Sequence, residues 1–330
     1  MSNIKQQIVR VLPERLSEIV RMMIHPDRRG IFLLKKYGIR YAPKLSDFPP
    51  MVMIDTTTRC NLACNHCPSS VLSKDENWGG DMDFGLYKKI IDEIAHENPS
   101  SIVRPFNSGE PLLRKDMEKM IRYAKDKGVK YVSINTNGTL LNEKRAYKIL
   151  DSGLDHIEFS MDAFSEETYK LIKNVNFYQK VVDNLERLIR LKESIRPDFK
   201  INVSFVKQQD NHHECEVFQA YWENKVDQVT IREYHQHGGL VDAHGRYREL
   251  NNKYRHPCPY LWERVIVQHN GKVRFCESDW KAEHAVWNVY DQTLKEIWHS
   301  DEYQKLRNEH IRGSFDHPFC KQCTDWKVIG

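Results

Sequence analysis

The chain has 330 residues, 40% hydrophobic and 29% charged, and 50 Lys and Arg against 46 Asp and Glu leave a net charge of +4. This length predicts one large domain or two smaller ones, and the near-neutral balance excludes a general nucleic-acid binder working through a broad positive field. No run of about 18 apolar residues occurs that could span a membrane, and the charge-interrupted N-terminus MSNIKQQIVRVLPERLSEIV lacks the apolar stretch of a signal peptide. A cytoplasmic protein is expected, with neither nucleic acid nor membrane as partner.

Leu12, Leu16, Ile19, Val20 and Met23 recur at helical spacing over 11–24, with Pro13 in the first turn. The Pro-rich stretch Tyr41–Pro50 breaks that order, so 1–50 reads as a helical N-terminal extension. From Met51 to Tyr234 short β-rich runs alternate with helical patterns. The predicted strands are Val52–Asp55, Ser101–Pro105, Tyr131–Asn135, His156–Met161, Ile201–Val206 and Gln228–Arg232. Helices are predicted near 83–97, 115–127, 142–152, 165–194 and 212–223. Such alternation implies right-handed βαβ units and a parallel sheet. Six units give an α/β fold, a partial (β/α)6 TIM-like barrel over 51–234. Doubly wound order competes with it, and in both topologies functional groups gather at the C-terminal strand ends. Residues 235–257, with Gly238-Gly239, read as a polar linker. From 258 to 330 a small α+β unit is expected: a hairpin, Val265–Gln268 and Val273–Phe275 around Asn270-Gly271, then helices at 292–299 and 301–311.

The eight cysteines are Cys60, Cys64, Cys67, Cys215, Cys258, Cys276, Cys320 and Cys323. In a long cytosolic chain such clustering points to metal binding or catalysis rather than disulfides. Cys60, Cys64 and Cys67 form C-x3-C-x2-C directly after the first predicted strand. Three thiolates on so short a loop can converge on one inorganic centre. A structural zinc wants four ligands, and no nearby cysteine or spaced histidine pair completes the set. His66 is open to reading as a fourth ligand or as a packing residue beside Cys67. A [4Fe–4S] cubane on three cysteines leaves one iron open to substrate or cofactor; a zinc knuckle is the alternative. Cys258, Cys276, Cys320 and Cys323 suit either a Zn(Cys)4 site or a fully ligated cluster.

The first motif resembles the signature of the radical S-adenosylmethionine (SAM) superfamily, and the resemblance covers about 51–234. Asn107-Ser108-Gly109-Glu110-Pro111 follows the second strand and is similar to the Gly-Glu-Pro segment that holds the SAM amino group, with Ser108 where Gly is commoner. Asn135-Thr136-Asn137-Gly138 and Ser160-Met161-Asp162, after the third and fourth strands, resemble the polar strand ends of the SAM pocket. The resemblance thus implies SAM binding by Ser108, Gly109, Glu110, Pro111, Asn135, Asn137, Ser160 and Asp162, with His66 beside them. The last four cysteines, with Cys258-Pro259-Tyr260-Leu261-Trp262 and Leu294-Lys295-Glu296-Ile297-Trp298, look like the SPASM/Twitch extension. That implies a second [4Fe–4S] cluster, fully protein-ligated, that accepts or relays an electron or shapes the substrate cavity. The implied cofactors are therefore two [4Fe–4S] clusters and SAM, with reduced flavodoxin or ferredoxin as electron donor.

Members bearing such extensions act on sugars and aminocyclitols or on ribosomal peptides, and the peptide modifiers commonly carry a leader-binding domain. The 50 residues before the barrel look too short for one. The expected substrate is therefore a small polar molecule such as a sugar, aminocyclitol or nucleotide-sugar, dehydrogenated or epimerised at a carbinol carbon. Peptide maturation is the alternative, and a non-catalytic iron–sulfur protein a further one. Cys215 is a candidate hydrogen donor for epimerisation, or a small apolar residue of its helix. Arg232, Glu233 and Tyr234 on the sixth strand, and Arg104 and Asn107 on the second, are candidates for the substrate cavity. His235, His237 and His244 read as substrate contacts or solvated loop residues.

Overall fold

The structure is a computed structural model that describes residues 42–75, 78–241 and 255–327. The helix read at 11–24 and most of the 1–50 extension lie outside the described residues, as do His244 and much of the 235–257 linker. Six strands, β1 (Met51–Ile54), β2 (Ile102–Arg104), β3 (Tyr131–Thr136), β4 (His156–Ser160), β5 (Lys200–Lys207) and β6 (Gln228–Glu233), pair parallel, each with the next in sequence. The helices are α1 (Pro68–Leu72), α2 (Phe84–Glu97), α3 (Met117–Asp126), α4 (Glu143–Asp151), α5 (Glu166–Lys173), α6 (Tyr178–Ile195) and α7 (Cys215–Trp222). Unbroken strand order decides between the two topologies. A doubly wound sheet reverses direction at its first strand, whereas this one runs β1 to β6 without a switch and stays unclosed at β6, as a partial barrel does.

The long helix expected over 165–194 is two helices, α5 and α6. Asn174 ends α5 in the left-handed region at φ 58°, where a short polar side chain is tolerated. Ser165 caps the start of α5 by accepting from the Thr168 amide.

The C-terminal unit does not form a sheet of its own. β7 (Arg264–Val267) pairs parallel with β1, in register from Met51↔Arg264 to Ile54↔Val267, and β8 (Lys272–Arg274) and β9 (Trp287–Asn288) follow antiparallel. The hairpin read from Asn270-Gly271 therefore widens the barrel sheet to nine strands. Gly271, at φ 83°, makes its turn. Helices α8 (Tyr260–Glu263), α9 (Leu294–His299), α10 (Asp301–Arg312) and α11 (Pro318–Gln322) complete the unit, and α9 opens with a Thr293/Glu296 capping box.

Strand alternation sorts the side chains into two faces. Val52, Ile54, Val103, Val132, Ile134, Ile157, Phe159, Ile201, Val203 and Phe205 pack against the helices in the main core. The positions between them, Arg104, Ser133, Asn135, Glu158, Asn202, Ser204 and Arg232, take the opposite, concave face. A concave face filled with polar groups is a binding surface rather than a packed core.

Candidate functional site

The cysteine loop leaves β1 and is clasped from three sides. The Asn65 amide donates to Ile172 O at 3.0 Å and Asn174 Nδ2 to Ala63 O at 2.6 Å, tying the loop to the end of α5. From the β3 end, Asn137 Nδ2 donates to Asn61 Oδ1 and Asn61 Nδ2 to Thr139 Oγ1, both at 2.9 Å. Cys67 is the N-cap residue of α1, with Pro68 starting that helix. Burial above all pushes the Cys60 thiol up to about 11 and Cys64 to about 12, and raises Cys67; the neighbouring thiols add to the rise at Cys60 and Cys64. Such thiols become thiolates when a cationic centre supplies the missing positive charge.

The segment after β2 lies directly against this loop. Gly109 has φ 73°, and a Cβ there would stand 2.5 Å from the Arg59 carbonyl, so only glycine fits. The Glu110 amide donates to that carbonyl at 2.8 Å. The Glu110 carboxylate is buried, and burial raises its pKa. It accepts from the Leu112 amide at 3.0 Å, Thr136 Oγ1 at 2.7 Å and the Asn137 amide at 2.7 Å. Glu110 is thus a post joining the β2 and β3 ends, and Pro111 starts a single 3-10 turn behind it.

Asp162, at φ 61°, is similarly engaged after β4: Lys173 Nζ lies at 2.6 Å, the Val206 amide at 2.7 Å and His66 Nε2 at 3.7 Å. Burial opposes the Asp162 charge, but Lys173 and His66 outweigh it and lower the pKa. Burial takes His66 down to about 4, so the ring is neutral at pH 7, and its Nδ1 faces Gln208 Nε2 at 3.1 Å. Ser160 lies on the concave face in register with Ser204.

Across that face Arg104 Nη2 donates to Asn135 Oδ1 at 3.1 Å, Asn135 Nδ2 to Glu158 Oε1 at 2.8 Å, and Arg232 makes two bonds to Glu158, at 2.7 and 2.9 Å. The C-terminal unit adds Arg264, paired with Glu277 at 3.0 Å and stacked on Tyr260 with its guanidinium 4.0 Å from the ring centroid. Burial works against the Glu277 charge, yet Arg264 and His235 hold the carboxyl at about 2. Glu233 lies 3.9 Å from Lys207, at the rim. Cys215 is buried in the apolar core as the first residue of α7.

Cys258, Cys276, Cys320 and Cys323 line a single cavity with Phe275, Phe319 and Trp326. Burial dominates at all four thiols and raises every one of them. Four soft donors line one space together with Arg255, the donor set of an iron–sulfur cluster. Among the described residues no three His, Cys, Asp or Glu side chains converge on a point that would hold a single metal ion.

The two cysteine sites are joined by groups that the sequence reading did not single out. Arg274 on β8 and Asp55 at the end of β1 are both fully buried and lie 2.6 Å apart. The second Asp55 oxygen accepts from the Ser108 amide at 2.6 Å, and Arg274 Nη1 donates to Asp279 O at 3.0 Å. A charge inside each of the apolar runs Met-Val-Met-Ile-Asp and Val-Arg-Phe was the available signal. Glu158 and Lys173 also went unread, although the alternation His-Ile-Glu-Phe-Ser places Glu158 on the concave face.

A six-stranded parallel partial barrel carries a three-cysteine loop at its first strand end and is continued by a four-cysteine unit. The sequence model of the radical SAM superfamily matches residues 54–207, and that of the SPASM iron–sulfur cluster-binding domain matches 258–324. The chain belongs to the radical SAM superfamily and carries a C-terminal iron–sulfur cluster-binding domain; its cofactors are [4Fe–4S] clusters and SAM. A relative named Fe-coproporphyrin III synthase, from Methanosarcina barkeri, is 36% identical over 124 residues, 38% of this chain and 30% of the relative. A Probable GTP 3′,8-cyclase of Methanococcus maripaludis is 32% identical over 46% of this chain and 48% of its own, so the chain spans less than half the length of these relatives. One of the same name from Sulfolobus acidocaldarius is 28% identical over 72% of this chain and 77% of its own. Among solved structures, BtrN in complex with AdoMet and 2-DOIA matches with TM-score 0.59 at 20% identity, covering 86% of this chain and 94% of BtrN. Streptococcus suis SuiB matches with TM-score 0.66 at 14% identity, covering 96% and 78%. At such identities these structures share the fold. Among the described residues no helix is long and apolar enough to cross a membrane.

Proposed function

We propose that this radical SAM enzyme acts in the cytoplasm on a small polar molecule, a sugar, aminocyclitol or nucleotide-sugar, and dehydrogenates it at a carbinol carbon. The observation that carries the reading is the hydrogen-bonded polar run Arg104–Asn135–Glu158–Arg232 across the concave face of the sheet whose first strand leads into the cysteine loop. Cys60, Cys64 and Cys67 would hold the first cluster. Ser108 to Pro111, with Asn135, Asn137, Ser160, Asp162 and His66 around them, would shape the space for SAM. When bound, that cluster and SAM supply reductive cleavage of the sulfonium to a 5′-deoxyadenosyl radical, which abstracts a substrate hydrogen. Residues 51–234 would perform this step, with reduced flavodoxin or ferredoxin as donor.

In 258–330, Cys258, Cys276, Cys320 and Cys323 would hold the second cluster with every iron ligated, suited to take up the substrate radical's remaining electron as the carbinol proton leaves. The placement of Cys215 in apolar packing supports dehydrogenation over epimerisation, which needs a thiol on the substrate's far side. The test is anaerobic turnover with C-deuterated candidate sugars and aminocyclitols. Deuterium is expected in 5′-deoxyadenosine, together with a product lighter by two hydrogens. A product one mass unit lighter than the deuterated substrate, its deuterium replaced by a solvent-derived hydrogen, and abolished by Cys215→Ala, would establish epimerisation; transfer from a peptide alone would overturn the small-molecule reading.

A further inference from the structure

Among the described residues three arginines and two glutamates share the concave face, and their pairing leaves one cation over. Arg232 is taken by Glu158 and Arg264 by Glu277. Arg104 has no carboxylate partner among the described residues. Its Nη2 reaches the neutral Asn135 amide at 3.1 Å, its guanidinium lies 4.7 Å from the Phe106 ring centroid, and its Nε is buried without an acceptor. Arg264 Nε is also buried and unmet. Burial first, then the like charges of Arg264 and Arg232, draw the Arg104 pKa down to about 10 against the pull of Glu158 and Glu277, so the group remains charged at neutral pH.

A half-buried charge with no carboxylate in contact and its Nε unmet is costly, and a guanidinium fork suits the two oxygens of a phosphate or carboxylate. Arg104 ends β2, and the segment from Asn107 to Pro111 follows at once. An anion docked on Arg104 would therefore fix the rest of a small molecule a few residues from the space proposed for SAM.

We propose that the substrate carries an anionic group, phosphate or carboxylate, that docks on Arg104 and is flanked by Arg264 and Arg232. The proposal rests on the concave face being the substrate's place. It makes Arg104 a specificity-determining residue: its charge is the one left free to select an anion over a neutral sugar.

The test is calorimetric titration of the reconstituted full chain, loaded with SAM, with inorganic pyrophosphate, glucuronate and, as neutral control, glucose. Saturable binding of at least one anion and none of glucose is expected, and the anion that binds separates phosphate from carboxylate. Arg104→Met is expected to weaken that binding by roughly tenfold or more, the scale of one hydrogen bond to a charged group. Arg104→Lys keeps the charge without the fork and should fall between. Absence of saturable anion binding to the parent chain, or undiminished affinity in Arg104→Met, overturns the proposal. If Arg104→Met fails to assemble its clusters, unchanged affinity in Arg104→Lys does so instead. Formation of 5′-deoxyadenosine from SAM and dithionite without substrate tests the radical chemistry separately, so either reading can fail alone.

Discussion

The two cysteine sites use the same donor and are built in opposite ways. Cys60, Cys64 and Cys67 come from one loop that follows β1. Cys258, Cys276, Cys320 and Cys323 come from three separate stretches of the C-terminal unit and enclose a cavity walled by Phe275, Phe319 and Trp326. On a cubane, three donors leave one iron without a protein ligand, where another ligand can arrive; four donors leave none. The first arrangement suits bond breaking, the second electron storage, and the difference lies in ligand count and surroundings rather than in the donor atom.

Removing one thiol from each site gives the largest effect and breaks this contrast if it is wrong. Cys60→Ala should lower bound iron from about 8 to about 4 atoms per chain, abolish 5′-deoxyadenosine formation and eliminate the spectral response to SAM. Cys276→Ala should lose a similar amount of iron yet retain that response and the radical cleavage, failing only in product oxidation. Iron analysis with paramagnetic resonance before and after SAM addition distinguishes them. Equal loss of the SAM response in both variants would end the division of labour.

Between the sites stands the buried pair Arg274–Asp55. Asp55 holds the Ser108 amide, the Glu110 amide holds Arg59 O, and Cys60 follows. On the other side Arg274 Nη1 holds Asp279 O, and the Asp279 amide donates to Cys276 O at 3.3 Å. Hydrogen bonds and short backbone links thus join one cysteine site to the other. Deleting one partner of a buried pair strands the other's charge and costs about 3–5 kcal/mol. Arg274→Met should therefore lower unfolding stability by that order in denaturant titration, and should also weaken SAM binding, because Asp55 is left with its anchor on Ser108 alone. Full SAM affinity in a destabilised Arg274→Met would show that the pair supports the fold without setting the cofactor segment.

The same contrast decides what could be read in advance. The C-x3-C-x2-C loop was legible because its chemistry is contiguous, and the six strands because apolar runs alternated with helical ones. The break at Asn174 was missed because hydrophobic periodicity continues through α5 and α6, while the left-handed turn depends on one side chain reaching Ala63 O. The parallel docking of β7 on β1 was beyond local pattern, since the hairpin signal at Asn270-Gly271 defines only the β7–β8 pair. Arg274 and Asp55 lie 219 positions apart, and no periodicity connects them. The roles implied for Glu110 and Asp162 meet a similar limit: resemblance placed them at the SAM pocket, and the geometry adds that both carboxylates also bind neighbouring strands and loops together.

The concave face yields the smallest effect, a dependence on pH. Burial opposes ionisation of Glu158, yet the charge and hydrogen bonds of Arg232, helped by Arg104, hold its pKa below the usual glutamate value of 4.5. A carboxylate with a depressed folded pKa contributes stability above its unfolded value, and that contribution fades as pH falls through the folded one, at about 1.4 kcal/mol for each tenfold difference in proton affinity between the two states. Glu158→Gln should therefore flatten the acid limb of the stability curve below about pH 4.5, the unfolded glutamate range, while lowering stability at neutral pH. Denaturant titrations of the metal-free chain across that range would read it without interference from cluster loss in acid. The same variant releases Arg232 and leaves two unpaired guanidiniums facing the lumen instead of one, so pyrophosphate or glucuronate should bind it more tightly than the parent. An acid limb of unchanged slope would mean that Glu158 binds its proton equally well folded and unfolded, so that Arg232 and Arg104 give its charge no net stabilisation, and the charge balance that leaves Arg104 in excess would have to be drawn anew.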